Sequence, residues 1–261
     1  SHDLPLFNRA LQGQYPPGST IKPILGMAGL HYGVITANTR MYDPGWYQLP
    51  NEERRYRDWN WKRGGHGANV DLQMSIVESC DVFFYDLAYK LGIDRIHDYL
   101  YPFGLGHATG IDNTNERSGL LPSRDWKRKM KRTAWYPGET VNTGIGQGYM
   151  LVTPLQLAVA TAVVATRGEV MVPRMVQSIN GVELKAPLLP RIEDREEYWQ
   201  QVILAMENVV HSVRGTASSL HLLQIEIYLQ VESMSNSSAG LRECQQDRQS
   251  SQSELGSLWL P

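Results

Sequence analysis

Ser19 and Lys22 stand three residues apart in Ser19-Thr20-Ile21-Lys22, a spacing that puts both side chains on one face of a helix. A serine hydroxyl is a weak nucleophile until a neighbouring base takes its proton. A lysine kept neutral by partial burial is such a base. A helix N-terminus at the serine would also favour negative charge developing there. On a surface helix the same tetrad is a capping serine beside a solvated lysine, so the spacing alone leaves both readings open. A second set of residue types suits a metal. Asp43, Asp58, His66 and Cys80 offer two carboxylates, an imidazole and a thiol, a complete donor set for tetrahedral zinc. Three of the four lie in a long segment of low apolar content, which a metal would pin, because its binding free energy becomes folding free energy. The bland alternative is a buried cysteine, a surface histidine and two aspartates in turns.

These residues need elements to position them. Tyr15-Pro16-Pro17-Gly18 cannot be helical. Ser19 then opens a helix whose apolar face is Ile21, Ile24, Leu25, Ala28 and Leu30, with Pro23 tolerated in the first turn. Residues 36–70, rich in Gly, Pro, Asn and Trp, read as an irregular connection of a length that is usually functional or disordered. A strong helix is expected from Asp71 to about Leu91, stopped by Gly92, and a shorter one from about Asp94 to Tyr101. Residues 102–150 are turn-rich. Thr153-Pro154-Leu155-Gln156 opens a helix with a capping Thr, Pro at its first position and Gln at its third, running to Arg167-Gly168. A short alternating strand is expected from Val170 to Ile179, and an amphipathic helix from Asp194 to His211. The six basic residues among the nine of Arg124 to Arg132 read as a solvated face, with contact to headgroups or a partner as the sharper option. Trp59, Trp61, Trp126 and Trp135 read as packing residues.

The 261 residues carry a formal net charge of −2 and 42% hydrophobic residues, enough to bury a core. The near-neutral balance leaves no footprint for nucleic acid. Two cysteines, Cys80 and Cys244, exclude a disulfide framework. The longest apolar run, Leu157 to Ala165, is too short to span a bilayer. No basic-then-apolar signal opens the chain, so a cytosolic protein or a missing targeting segment is expected, and the start without methionine favours a fragment. After Ala217 the composition changes. Residues 218–261 hold ten Ser and six Gln among 44 and no Lys, poor material for a core.

Tyr15-Pro16-Pro17-Gly18-Ser19-Thr20-Ile21-Lys22-Pro23 resembles the nucleophile motif of the high-molecular-mass penicillin-binding proteins. Asp43-Pro44-Gly45-Trp46, Tyr56-Arg57-Asp58-Trp59, Glu78-Ser79-Cys80-Asp81, Gly104-Leu105-Gly106-His107, Gly144-Ile145-Gly146-Gln147-Gly148-Tyr149 and Arg214-Gly215-Thr216-Ala217 are similar to the elongation-type, class B members. The likeness runs from about Leu4 to Ala217. It implies an α/β, β-lactamase/transpeptidase-like fold, present here as mostly the helical lobe with most sheet strands missing. It also implies residues 1–217 as a partial transpeptidase domain and 218–261 as a non-matching tail.

The implied activity is peptidoglycan D,D-transpeptidation by serine acyl transfer from D-Ala-D-Ala stem peptides, with β-lactams as suicide substrates. In the motif's terms Ser19 is the nucleophile, Lys22 its base, and Ser79 a relay to the leaving amine. Asp81 holds the third place of the motif that Ser79 opens. No cofactor is implied for catalysis. Some relatives hold zinc in the region of Asp43, Asp58, His66 and Cys80, so a structural zinc is implied there. Implied partners of the full-length family are a glycan polymerase and rod-shape scaffold proteins. Its implied place is the periplasmic face of the inner membrane, on an anchor that this chain is expected to lack.

One departure limits the likeness. None of the seven lysines is followed by Thr-Gly or Ser-Gly, and none lies beyond Lys185. The family's third motif, a lysine and hydroxyl that clamp the substrate carboxylate, is therefore absent. The stretch from His221 to Leu241 occupies its place, as a reading-frame shift after Ala217 would produce. Two rival functions follow: an inactive remnant whose helical lobe is pinned by zinc, and a β-lactam sensor or β-lactamase.

Overall fold

The computed structural model describes residues 7–223 except 186 and 188. The chain divides into residues 1–222 and 223–261, and all but one residue of the second unit lies outside the described part. The tail expectation for 218–261 therefore falls mostly outside the described residues.

The first unit is built round one apolar helix. Its helices are α1 (Arg9–Gln12), α2 (Lys22–His31), α3 (Leu72–Val77), α4 (Asp81–Leu91), α5 (Ile93–Leu100), α6 (Arg124–Lys131), α7 (Pro137–Thr143), α8 (Pro154–Ala165) and α9 (Glu196–His211). In α2 every residue from Lys22 to Leu30 is buried, as befits a helix that is apolar on all sides. It packs against α9, α4 and α5. Ile24, Leu25, Met27, Phe83, Phe84, Leu87, Ile96 and Trp199 belong to one continuous core. The expected start of this helix is refined: residues Gly18–Ile21 form a 3-10 turn and the α-helix begins at Lys22.

Three expectations need correction. The segment 36–70 is not an irregular connection. It contains β1 (Met41–Asp43), β2 (Trp46–Gln48), β3 (Arg55–Arg57) and β4 (Gly67–Val70), paired as the antiparallel ribbons β1–β4 and β2–β3. Such ribbons are too short to read from alternation. The helix expected over 71–91 is broken. Ser79 takes φ +54°, ending α3, and α4 restarts at Asp81 because Asp58 Oδ2 accepts from the N–H of Asp81 at 2.6 Å and of Val82 at 3.2 Å, an N-terminal cap supplied from another segment. The strand expected within 170–179 shrinks to β5 (Ser178–Ile179), paired with β6 (Val182–Glu183).

The capping box at Thr153 and Gln156 forms as read, but α6 and α7 went unread in the turn-rich stretch. Their signals were Ser123, whose Oγ caps Trp126 N–H, and Pro137 with Glu139, whose carboxylate accepts from Tyr136 N–H. Among the described residues the strands form only three two-stranded ribbons, and no helix is long and apolar enough to cross a membrane.

Candidate active site and candidate metal centre

The nucleophile turn is held from both sides. Tyr15 exchanges two backbone hydrogen bonds with Val152, both 2.9 Å, and Gly18 N–H donates to Gly146 O at 3.0 Å. Gly146 has φ +66°, and a Cβ there would lie 2.3 Å from Gly18 O. Only glycine lets the two backbones approach this closely. Pro17 O accepts from Thr20 Oγ1 at 2.6 Å, closing the turn that carries Ser19.

Four of the residues singled out in sequence meet in one hydrogen-bonded chain. Ser79 Oγ and Ser19 Oγ are 2.9 Å apart. Lys22 Nζ donates to Ser79 O at 2.9 Å, Ser79 Oγ at 3.1 Å and Asp81 Oδ1 at 2.7 Å. Lys22 is buried, 1% exposed. The i, i+3 spacing had suggested a direct approach of Lys22 to Ser19. In the structure the hydroxyl of Ser79 stands between them, and the left-handed backbone at Ser79 is what turns it there. Ser19, Ser79 and Asp81, with Trp59, Ile145, Gln147 and Thr216, line a cleft of about 520 Å³.

Trp59 corrects the packing assignment. It is 55% exposed and belongs to the cleft wall. Its indole Nε1 donates to the carbonyls of Glu78 and Ser79, both at 3.1 Å, and its backbone N–H donates to Asp81 Oδ2 at 3.2 Å. Trp61 is also exposed. Thr216 was missed as a cleft residue; its segment is anchored by Thr216 N–H to Val77 O at 3.2 Å and by the Arg214 guanidinium on Glu78, at 2.6 and 3.0 Å.

The other four residues meet on the far side of the same turn. Cys80 points away from the cleft into a pocket with Asp43, Asp58 and His66, where one ligand atom from each lies within 4.8 Å of the others. The β1–β4 pairing sets Asp43 opposite Gly67, and so brings His66 beside it. His66 Nδ1 is 2.7 Å from Asp43 Oδ2 and 3.7 Å from Asp58 Oδ1. Cys80 Sγ is 3.3 Å from Asp43 Oδ2.

The electrostatics follow from burial of like charges. Burial pushes the Asp43 carboxyl up, but hydrogen bonds from His66, Gly45 N–H and Cys80 outweigh it and leave Asp43 below the ordinary range. For Asp58 burial wins and its pKa is raised. Burial pushes the His66 imidazole down, yet its hydrogen bond to Asp43 and the two carboxylate charges raise it above the usual value. Burial, then the charge of Asp43, pushes the Cys80 thiol well up. His66 Nε2 is buried with no hydrogen-bond partner among the described residues.

Residues 1–229 match the family model for the penicillin-binding protein transpeptidase domain. The chain belongs to this transpeptidase family. It is 45% identical over 218 residues to the peptidoglycan D,D-transpeptidase MrdA of Escherichia coli K12, covering 82% of this chain and 34% of that protein. The chain thus spans about a third of the length of the curated relatives it matches. Among solved structures, penicillin-binding protein 2 of Pseudomonas aeruginosa, in complex with WCK 5153, superposes with a TM-score of 0.80 at 49% identity, over 84% of this chain and 48% of that one. Penicillin-binding protein 2 of Helicobacter pylori, in complex with MreC, gives 0.71 at 32% identity, over 82% and 38%.

The fold is therefore transpeptidase-like and helix-rich, with few strands. The turn at residues 79–81 carries both candidate sites: Ser79 and Asp81 face the cleft, and Cys80 between them faces the acid cluster.

Proposed function

We propose that this lobe serves peptidoglycan D,D-transpeptidation, with Ser19 as the acylated residue. The observation that carries the reading is the chain Ser19–Ser79–Lys22–Asp81 on the floor of the cleft. Ser19 Oγ attacks the carbonyl of the penultimate D-Ala. Its proton moves to Ser79 Oγ while the Ser79 proton passes to Lys22 Nζ, which hands one of its own to Asp81 Oδ1, 2.7 Å away. The same path returns a proton to the departing D-Ala amine as the C–N bond breaks. The amine of a second stem peptide then displaces Ser19 and forms the crosslink. A β-lactam opened by Ser19 would stay attached. Asp81, bonded to Lys22, also positions its Nζ. Stem peptides and β-lactams are the ligands this reading assigns.

The full-length relatives' setting is carried over in the same spirit: the periplasmic face of the inner membrane, with a rod-shape scaffold protein and a glycan polymerase as partners. A relative solved in complex with MreC supports the first partner.

A zinc ion fits the second cluster. Two buried carboxylates, a thiol and an imidazole converge there, and of their side-chain polar atoms His66 Nε2 is left without a hydrogen-bond partner among the described residues. Asp43, Asp58, His66 and Cys80 would hold the ion, which would hold Cys80 as a thiolate and offset the buried negative charge. Its role would be to pin the turn at residues 79–81, with no part in the acyl transfer.

The rival reading is a folded lobe that does not turn over substrate. What favours it is the absence of any Lys-Thr-Gly or Lys-Ser-Gly among the 261 residues, which removes a substrate clamp and an oxyanion donor. One such donor is worth about a hundred- to a thousandfold in rate. A fluorescent penicillin separates the two. Slow covalent labelling that Ser19→Ala abolishes supports the transpeptidase lobe, and no labelling of folded protein supports the remnant. A label that forms and is then hydrolysed within minutes would favour a β-lactamase.

A further inference from the structure

The helix α6 carries a charge pattern that neither the acylation site nor the acid cluster uses. Three of the six cations in 124–132 have acid partners. Lys127 is buried and lies 2.5 and 2.6 Å from the two Glu139 oxygens. Arg124 pairs with Asp94 at 2.9 Å, and Arg128 approaches Asp125 at 3.5 Å. Lys129, Lys131 and Arg132 are exposed and have no acid partner among the described residues. Cations at a helix C-terminus gain from the dipole only within the last turn, and Arg132 continues the patch past the end of α6 with a left-handed backbone at φ +54°. The chain's overall charge is −2, so the patch is local and not the expression of a basic protein.

Its position gives the patch a meaning. Trp126, on the inner face of α6, packs against Tyr149 with ring centroids 5.1 Å apart and the planes tilted by 58°, and Trp135 packs on the same ring at 6.3 Å. Tyr149 is two residues from Gln147, which lines the cleft. Aromatic packing thus fixes the basic helix to the segment that forms one wall of the acylation cleft. A membrane-binding helix would pair its cations with several exposed apolar side chains for insertion. Here Met130 is the one large apolar residue exposed on α6, at 68%, and the tryptophan packs inward.

We propose that Lys129, Lys131 and Arg132 form a rim subsite that binds the carboxylates of uncrosslinked stem peptides on a glycan strand. The proposal rests on the transpeptidase reading, since it takes the substrate class from there. Stem peptides ending in D-Ala carry free carboxylates, and a strand carries them repeatedly, so a cationic rim raises the local concentration of stems beside Ser19. The attraction is between exposed charges and is screened at physiological ionic strength.

The test uses the full 261-residue chain and a soluble glycan oligomer bearing uncrosslinked pentapeptides, labelled at its reducing end and followed by fluorescence anisotropy. The wild-type chain is expected to bind, more weakly as salt rises from 50 to 300 mM. The triple variant K129Q/K131Q/R132Q is expected to lose about tenfold in affinity at low salt, K129R/K131R to retain it, and the matched variant R9Q/K90Q/K185Q to change it less than twofold. Circular dichroism and melting confirm that each variant is folded. Equal binding by the wild type and the triple variant would overturn the proposal. So would binding of the wild type to vesicles containing one-third phosphatidylglycerol without binding to the oligomer, which would assign the patch to lipid. Penicillin labelling of Ser19 is expected to be unchanged in the triple variant. Failure of oligomer binding with labelling intact removes the subsite alone, whereas absence of labelling removes the parent reading.

Discussion

The two sides of the turn at residues 79–81 solve opposite electrostatic problems. On the cleft side one buried cation, Lys22, faces one carboxylate, Asp81, and two hydroxyls, and each polar group finds a partner within the protein. On the other side Asp43 and Asp58 are both buried with one imidazole and a thiol held protonated, and an imidazole nitrogen is left without a partner. The first side is complete as a network of side chains. The second is short of positive charge. Buried groups that cannot satisfy each other demand either a shifted protonation state or a ligand, so the three-residue turn is held from one side by the chain's own hydrogen bonds, and on the other the proposed zinc would supply the missing positive charge.

Removing the proposed zinc is the most direct way to break this contrast, and it carries the largest expected effect. Protein purified without chelator should contain one zinc per chain by metal analysis. Extended dialysis against a strong chelator should lower the melting temperature by about 10 °C, the equivalent of several kcal/mol in a unit of this size. Cys80→Ser should behave like the chelated protein, since a serine hydroxyl cannot replace a thiolate. Zinc-free protein of unchanged melting temperature would show that the acid cluster satisfies itself and that the two sides do not differ in kind.

The opposite side breaks differently. Lys22→Met removes the cation and leaves the Asp81 carboxylate and the Ser79 hydroxyl facing an apolar group. Breaking a buried pair costs about 3–5 kcal/mol, and the lower end applies here because Asp81 keeps 14% of its side chain in solvent. Penicillin labelling should vanish with it. Adding Asp81→Asn to Lys22→Met should recover part of the stability and none of the labelling, measured by urea unfolding and by gel fluorescence. A loss below about 1 kcal/mol would mean that the pair is solvated and that the cleft side has no dry network to protect.

The same contrast explains what could be read in the residues and what could not. Ser19 and Lys22 were legible because their spacing is local, and the Thr153–Gln156 box because a capping box lies within four residues. The four donors were legible as residue types, since two acids, a histidine and a cysteine are informative whatever their order. The break at Ser79 was not legible. Asp71 to Leu91 has continuous helical periodicity, and the interruption depends on Asp58, more than twenty residues away, capping α4 at Asp81. Trp59 was misread for a similar reason: its indole is held by carbonyls of residues 78 and 79, a contact that no window of sequence contains. The ribbons β1–β4 and β2–β3 are three or four residues per strand, below the length at which alternation separates a strand from a loop. Residues whose partners are local announced themselves, and residues that join distant segments did not.

The smallest predicted effect lies on the seam between the two sides. Glu78 precedes the shared turn and holds the Arg214 guanidinium, so that the following Gly215-Thr216 lies along Val77 and Thr216 reaches the cleft wall. Arg214 is 60% exposed, and an exposed ion pair contributes at most about 1 kcal/mol, so Glu78→Gln and Arg214→Gln should each leave the melting temperature nearly unchanged. Their effect should appear instead in the second-order rate of penicillin labelling, lowered a few-fold because Thr216 loses its anchor while Ser19, Ser79 and Lys22 keep theirs. The two substitutions act on one contact, so the double variant should be no slower than either single one. High salt screens the pair, and wild-type labelling should then approach the variants' rate while theirs stays constant. If Glu78→Gln instead costs stability on the scale of Lys22→Met, the seam is part of the buried cleft network, and the division between a self-satisfied side and an unsatisfied one has been drawn one residue too late.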